Sequence, residues 1–469
     1  MKTKQLVKLG IPAGPCTEEA QRLVAAGLTK AGVDVVDALR RVADAPGEFL
    51  QDERFATLAA AILAEREAHA FTPRDAPAPY QVWSGDHDME PRALDQMRNA
   101  CSLPVSVAGA LMPDAHTGYG LPIGGVLATD NAVIPYAVGV DIACRMKLTV
   151  LDLPVDWLDT MQERLAAVLT RETRFGVGAT HSRKQQHDVL DADWTVSPIT
   201  QRLKDKAWAQ LGTSGSGNHF VEFGSLTVSD PSVGLPVGQY LALLSHSGSR
   251  GTGAEVAGHY SKLARKLHPE LPTSLAELSW LGLDTEEGQE YWAAMELMGQ
   301  YAAANHAVIH RLVARALDVE VRLDIENHHN FAWRERHQLP DGTEREVVVH
   351  RKGATPAGEG VLGIIPGSMA TPGYVVRGKG SAASLRSAAH GAGRCMSRTA
   401  ARATCSWDEA NAFLRDRRVT LLSAGLDEVP MVYKDIDAVM AAQQDLVDVL
   451  ARFDPRVVRM AESGERPED

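Results

Sequence analysis

VSVAGALMPDAHTGYGLPIGGVLATDNAVIPYAVGVDIACRMKLTVLDL, residues 105–153, sets short apolar runs between Gly, Pro and Asp. The runs VSVAGALM, GGVLAT, AVIPYAVGV and MKLTVLDL read as buried strands joined by tight loops, the start of a catalytic sheet. Upstream, Thr17-Glu18-Glu19 predicts a helix cap, and Leu23, Val24, Leu28, Phe55, Leu58, Ile62 and Leu63 recur at helical spacing. Residues 1–75 are therefore expected to be a helical N-terminal elaboration. FTPRDAPAPY, from Phe71 to Tyr80, breaks the pattern and marks a boundary. Downstream, helices are expected over about 154–169, 198–210, 286–317, 407–415 and 434–452. FVEFGSLTV, QYLALLSH, VRLDIEN, EVVVHRKG and GYVVRGKG read as strands or ribbons. The expected fold class is α/β, with mixed sheets and surrounding helices. One compact catalytic domain spans 81–460 in this reading, and 461–469 is a polar tail.

A chain of 469 residues, 45% hydrophobic and 23% charged, can bury a large core. No apolar run approaches the roughly 18 residues of a membrane span, and the start lacks a secretory h-region, so no membrane partner and a cytoplasmic location are expected. Acids outnumber bases 60 to 48, giving −12, which disfavours nucleic-acid binding by bulk charge. A few arginines in one groove would still suffice for phosphates. The five cysteines form no CxxC pair, so neither a disulfide framework nor a zinc ribbon is implied. HSRKQQHD, 181–188, reads as a solvated loop.

Polar, glycine-rich segments end successive strand-like runs: MPDAHTGYGLPIGG, GVDIAC, GTSGSGNHFVE, SHSGSRGTG, ENHHNF, PGSM and HGAGRCMSR. Loops at strand ends are where function concentrates, and seven of them point to one composite site. Asp141, Cys144, His219, His246 and His329 supply a carboxylate, a thiol and imidazoles, a set that suits manganese, iron, cobalt or zinc better than magnesium or calcium. Spacing alone leaves satisfied structural histidines the commoner outcome. His306 and His310 stand four apart on a predicted helix, but Ala307 replaces the glutamate of HExxH, so they read as one helix face. Neither a P-loop nor the GxSxG elbow is present.

GVDIAC (139–144), GNHFVE (217–222), HSGSRG (246–251), HHN (328–330), PGSM (366–369) and HGAGRCMSR (390–398), in this order, resemble the RtcB family of tRNA-splicing RNA ligases. The likeness runs from about Ser102 to Arg459. It implies a GTP- and manganese-dependent ligase, with two manganese ions, that joins RNA 3′-phosphate or 2′,3′-cyclic phosphate ends to 5′-hydroxyl ends in tRNA splicing or RNA repair. By that resemblance His390 is the nucleophile that takes GMP. Cys144 bridges two metals, with Asp141 and His219 completing one and His246 and His329 the other, while His328 packs or braces its neighbour. The nucleotide site is expected from Asn218, Phe220, Glu222, Asn330, Pro366, Gly367, Ser368, Met369, Gly391, Ala392, Gly393 and Arg459. Arg250 and Arg398 are expected on RNA phosphate, and Asp114 and His116 in a supporting role. An activating protein partner is left open.

The chain departs from the family pattern at Ala370 and Gly373, at Arg459 in place of a lysine, and at Arg145 in place of a glycine. It thus reads as a divergent paralogue. Two other readings remain at this point: a nucleotidyl transferase that caps 3′-phosphate ends without efficient sealing, and a non-catalytic homologue that binds RNA ends.

Overall fold

The computed structural model describes residues 1–26, 34–68, 71–85 and 89–465. The chain divides into two units, Met1–Thr72 with His268–Ser274, and Pro73–Leu267 with Leu275–Asp469. In the first unit, helices Thr3–Val7, Pro15–Ala25, Val35–Asp44 and Ala56–Ala68 bury Leu6, Ile11, Cys16, Leu39, Val42, Phe55, Leu58 and Ile62 against one another. The helical spacing is thus confirmed there, while Leu28 lies outside the described residues. The cap is corrected. Pro15 opens the helix after Gly14, and Thr17 sits inside the first turn with its hydroxyl donating to Gly14 O at 2.8 Å. Proline's fixed φ and missing N–H suit the first helical position, so it sets the start two residues early.

Besides the two-stranded pairs Ala132–Val133 with Leu281–Gly282 and Ala354–Pro356 with Ser387–Ala389, the second unit carries two larger sheets. One has five strands in the order Tyr80–Val82, Ser106–His116, Ile123–Thr129, Glu344–Lys352, Asn330–Gln338. The other runs Leu362–Ile365, Gly373–Gly378, Val447–Met460, Phe220–Val228, Gly238–Ser247, Arg145–Leu151, Val321–His328, with Thr420–Ser423 also paired to Val447–Met460. Mixed sheets with surrounding helices are therefore what the chain forms. His329 is the residue between Val321–His328 and Asn330–Gln338, so the chain passes from one sheet to the other at that histidine.

Alternation explains the burial of the eight-stranded sheet. Met146, Leu148 and Val150 share one apolar cluster with Leu244, Ile325, Val375 and Phe453. On the other face Val221, Phe223, Leu241 and Leu243 pack against Ile309, Val313 and Leu317 of the helix Glu286–Leu317. That face turns polar toward one end, where Ser245 Oγ lies 2.9 Å from His306 Nδ1 and 2.8 Å from His310 Nε2. The two histidines do share one helix face; both ring nitrogens of His310 are paired there, while His306 Nε2 is buried without a hydrogen bond.

Three expected elements differ. AVIPYAVGV forms only the two-residue strand Ala132–Val133 before Pro135 starts the helix Pro135–Val138. The helix expected over 434–452 is confined to Ile436–Ala441, and Val447–Met460 is a strand. Its partners step from Val375↔Ala451 to Val376↔Val449, leaving Leu450 as the extra residue of a bulge. The bulge breaks the period of two, so the apolar spacing imitates a helix. Conversely, SHSGSRGTG runs into a helix, Arg250–Leu267, in which packing requires one glycine: a Cβ at Gly253 would lie 1.8 Å from Ser249 Oγ.

Candidate active site

Asp141 and Cys144 come together through a tight turn. Ala143 takes φ 57°, Cys144 N donates to Asp141 O at 3.2 Å, and Ala143 N donates to Asn330 O at 2.7 Å. A left-handed residue other than glycine costs free energy and is held by its surroundings. Here those surroundings are the strand starts Arg145 and Asn330. His219 precedes Phe220–Val228, His246 lies near the end of Gly238–Ser247, and His329 joins the sheets. His246 pairs in register with both Phe220 and Met146, which aligns these strand ends.

Among the described residues, two groups of side chains could each hold a metal ion: Asp141, Cys144 and His219, and Cys144, His246 and His329, with the ligand atoms of each within 4.8 Å of one another. Cys144 belongs to both. Its Sγ lies 3.4 Å from His219 Nε2 and 3.1 Å from His246 Nε2, and His246 Nε2 lies 3.2 Å from His329 Nε2. Backbone acceptors set the tautomers: His219 Nδ1 donates to Ser214 O at 2.7 Å and His246 Nδ1 to Asn218 O at 3.1 Å. Each Nε2 is then a bare lone pair turned on the thiol. Asp141 Oδ1 accepts from Ser249 N at 2.9 Å and Ser249 Oγ at 3.1 Å. Its Oδ2 is buried without a hydrogen bond, 3.2 Å from His219 Nε2. Gly248 permits that approach, since a Cβ there would lie 2.1 Å from the same oxygen.

Burial pushes His246 down to about 3 and His329 well below the ordinary imidazole value, so both rings are neutral. Burial alone would raise Asp141, yet neighbouring His219 and the charge of Arg250 bring it below the usual carboxylate value. Converging lone pairs, an unsatisfied carboxylate oxygen and a thiol are the donor set of a borderline transition metal.

His390 stands beside this cluster, its ring 4.8 Å from that of His329. Asp114 holds it: Oδ2 accepts from His390 Nδ1 at 2.7 Å, His390 N at 3.1 Å and Gly391 N at 3.3 Å. The proton is therefore on Nδ1, and Nε2 keeps its lone pair. Lys434 clamps both partners. Its ammonium donates to Pro113 O at 3.1 Å and Ala115 O at 2.7 Å, and its backbone N–H donates to Gly393 O at 2.9 Å. No motif in the sequence points to Lys434, or to Ser214 as the partner of His219. His116 is half-buried, and loss of solvation pushes it down to about 4, with Nδ1 3.1 Å from Asp114 O.

The other expected residues separate. Phe220 packs near Met369 and Ala370 and lies 5.7 Å from the His246 ring, and a Cβ at Gly391 would lie 3.3 Å from Pro366 O, so the loop 366–369 adjoins 391–393. Asn218 Oδ1 is buried without a partner. Glu222 is buried, which raises its carboxyl well above the usual range. Asn330 is spent as a brace, Nδ2 donating to Asp141 O at 3.3 Å and Oδ1 accepting from Gly353 N at 2.8 Å.

The expectation for Arg459 is corrected. It pairs with Val221 whereas Glu222 pairs with Val458, so alternation puts it on the face opposite Glu222. Its Nη1 donates to Leu169 O, Thr170 O and Thr173 O, closing the end of the helix Gln162–Glu172. Arg398 forms ion pairs with Asp427 and Glu428, a constraint the sequence did not disclose. Arg250 is buried with Nη1 3.2 Å from His219 Nδ1. Arg145 is buried with Nη2 3.2 Å from His328 Nδ1, and His328 meets Phe331 edge-on and lies tilted against Trp333, a bracing role.

The sequence model of the family described as "tRNA-splicing ligase RtcB" matches residues 96–198 and 192–461. The chain belongs to the RtcB family. "RNA-splicing ligase RtcB" of Escherichia coli K12 is 34% identical over 405 residues, covering 80% of this chain and 95% of its own. "tRNA-splicing ligase RtcB" of Nanoarchaeum equitans is 33% identical over 454 residues, covering 81% and 94%. "RNA-splicing ligase RtcB" of Mycobacterium tuberculosis is 32% identical, covering 77% and 98%. The RtcB match thus takes in all five metal-ligand candidates together with His390 and Asp114. Among the described residues, no helix is long and apolar enough to cross a membrane.

Proposed function

We propose that this chain is an RNA ligase that joins an RNA 3′-phosphate or 2′,3′-cyclic phosphate to a 5′-hydroxyl, consuming GTP and using two manganese ions. The observation that carries this reading is His390, fixed by Asp114 with Nε2 available and its ring 4.8 Å from metal-ligand candidate His329. Membership of a family whose relatives are named RNA-splicing ligases supports the reaction class.

His390 Nε2 attacks the α-phosphate of GTP, forming a P–N bond as pyrophosphate leaves. Asp114 accepts the Nδ1 proton's hydrogen bond throughout and stabilises the positive charge the ring acquires. An oxygen of the RNA 3′-phosphate displaces His390, and the 5′-hydroxyl then attacks that phosphate, expelling GMP and closing the phosphodiester. Transfer of GMP supplies a leaving group that a phosphate monoester dianion lacks.

Asp141, Cys144 and His219 would hold one metal, and Cys144, His246 and His329 the other. Bound there, the ions would supply Lewis-acid charge to phosphate oxygens and acidify a hydroxyl or water. Asn218, whose amide oxygen lacks a partner, Phe220, Glu222 and the loops 366–369 and 391–393 are proposed to take the nucleotide. Glu222 offers one acceptor and one donor in its protonated form. Arg250 is the arginine proposed for phosphate.

The test is transfer of label from α-labelled GTP to the denatured chain in manganese. Acid-labile label that is absent from His390→Ala, at unchanged metal content, is expected. Equal labelling of the variant would remove His390 from the reaction.

A further inference from the structure

We propose that Tyr119 is a stacking platform for a nucleobase of the RNA beside the joint, an inference that rests on the ligase reading above. Tyr119 lies in the loop between the strands Ser106–His116 and Ile123–Thr129, closed at its base by the pair His116↔Ile123. The loop is held rigidly. Thr117 N donates to Glu90 Oε2 at 2.8 Å, and the Thr117 hydroxyl donates to Glu90 Oε1. Gly118 N donates to Gln96 Oε1 at 3.0 Å and Gly118 O accepts from Gln96 Nε2 at 2.6 Å. Tyr119 O accepts from the ammonium of buried Lys352.

On this pinned backbone Tyr119 is 70% exposed, the most exposed large apolar residue among the described residues. A chain that spends five hydrogen bonds to fix a loop, and then leaves its aromatic ring in water, has built a surface with little ordering entropy left to lose on binding.

Two routes of backbone and non-covalent contact tie the Tyr119 loop to His390. Asp114, the partner of His390, is five residues before Tyr119 on the strand that leads into the loop. Lys352, which holds Tyr119 O, precedes Gly353, where a Cβ would lie 3.1 Å from His390 Cε1. A ligand that reaches His390 with its terminal phosphate brings the base of that terminal nucleotide to the loops that adjoin the histidine, this one among them. Every base offers a π-face, so stacking on tyrosine tolerates any sequence. The occupant favoured by this placement is therefore a terminal base of the RNA. The guanine of GTP is the less fitting occupant, because Glu222, Phe220 and the loop 366–369 stand on the eight-stranded sheet, while this loop belongs to the five-stranded one.

The experiment measures affinity for a fluorescent single-stranded RNA with a 3′-phosphate by anisotropy, using the full-length chain and Tyr119→Ala, Tyr119→Phe and Tyr119→Trp. In parallel it measures labelling of His390 from α-labelled GTP without RNA. Tyr119→Ala is expected to raise the RNA Kd on the order of 10- to 100-fold, with Phe and Trp within about 3-fold of the parent. Labelling is expected to stay unchanged. An RNA whose terminal nucleotide is abasic should lose affinity for the parent but little more for Tyr119→Ala.

An RNA Kd unmoved by Tyr119→Ala overturns the platform and leaves the ring to a protein partner. Loss of labelling in the same variant, with RNA affinity kept, assigns the ring to the nucleotide and also overturns it. Absence of labelling in the parent protein would instead sink the ligase reading, while the anisotropy arm still decides whether Tyr119 binds a base.

Discussion

Replacing Asp114 by Asn should slow nucleotide transfer to His390 while leaving the metal site and the fold in place. The carboxylate is fully buried, and its Oδ2 alone receives the Nδ1 proton of His390 and the backbone N–H groups of His390 and Gly391. An asparagine oxygen could keep the three contacts, so the loop need not move. The variant loses charge. A hydrogen bond to a carboxylate is about twice as strong as one to a neutral acceptor, and the difference grows as the imidazole becomes cationic during attack. Two to five kcal/mol of lost stabilisation, about the range known for a carboxylate-to-amide change behind a catalytic histidine, corresponds to roughly 30- to 5,000-fold in rate. Wrong presentation of the Asn amide, with its N–H₂ toward Nδ1, would flip the tautomer and fall at the upper end. The assay is single-turnover labelling from α-labelled GTP at saturating manganese, with metal content measured on the same sample. A rate within about 3-fold of the parent, at full metal occupancy, would refute the orienting role of Asp114.

Much of the architecture was legible because alternation and helical period are local. The helix Glu286–Leu317 and the strands Phe220–Val228 and Arg145–Leu151 follow from apolar spacing alone. Val447–Met460 was not legible, since the bulge at Leu450 is dictated by the strand it pairs with, Gly373–Gly378, some seventy residues upstream. Arg250–Leu267 was hidden for the opposite reason: Gly251 and Gly253 look like a loop, and only the position of Ser249 shows why a glycine is needed inside the helix. At the site, the motif residues Asp141, Cys144, His219, His246 and His329 meet where the ordered loops implied. What spacing could not convey is which backbone oxygen each imidazole faces. Nor could it show that Arg459 is turned to a helix end and Arg398 to two acids. Those assignments depend on strand parity and on Asp427 and Glu428, which carry no motif. Lys434 is the clearest case, a residue outside every recognised segment whose three donated hydrogen bonds join the strand of Asp114 to the loop of His390.

Cys144→Ala removes the one ligand atom common to both metal-binding groups, so elemental analysis should find manganese lost from both sites, and retention of either ion would contradict a shared thiolate. The ion cluster on the five-stranded sheet gives a prediction about stability and pH. Arg351 makes a two-pronged pair with Glu335, at 2.7 Å and 3.1 Å, and His337 Nε2 lies 2.7 Å from the same carboxylate. Burial would raise the Glu335 carboxyl, but the hydrogen bond from His337 and the charge and bonds of Arg351 outweigh it and hold the group at about 2. Because the folded value is depressed, the stabilisation is complete above the unfolded value near 4.5 and is lost as pH falls from there toward about 2. With one face of the glutamate still open to solvent, that linkage is worth about 2 to 3 kcal/mol at neutral pH. Glu335→Gln should therefore be less stable than the parent by that amount in urea at pH 7. The gap should close steadily below pH 4.5, as the parent's carboxylate takes up the proton that its partners oppose. A gap that stays constant down to pH 3 would mean the substitution acts through packing, and that Arg351 and His337 stabilise the sheet without linkage to Glu335's charge.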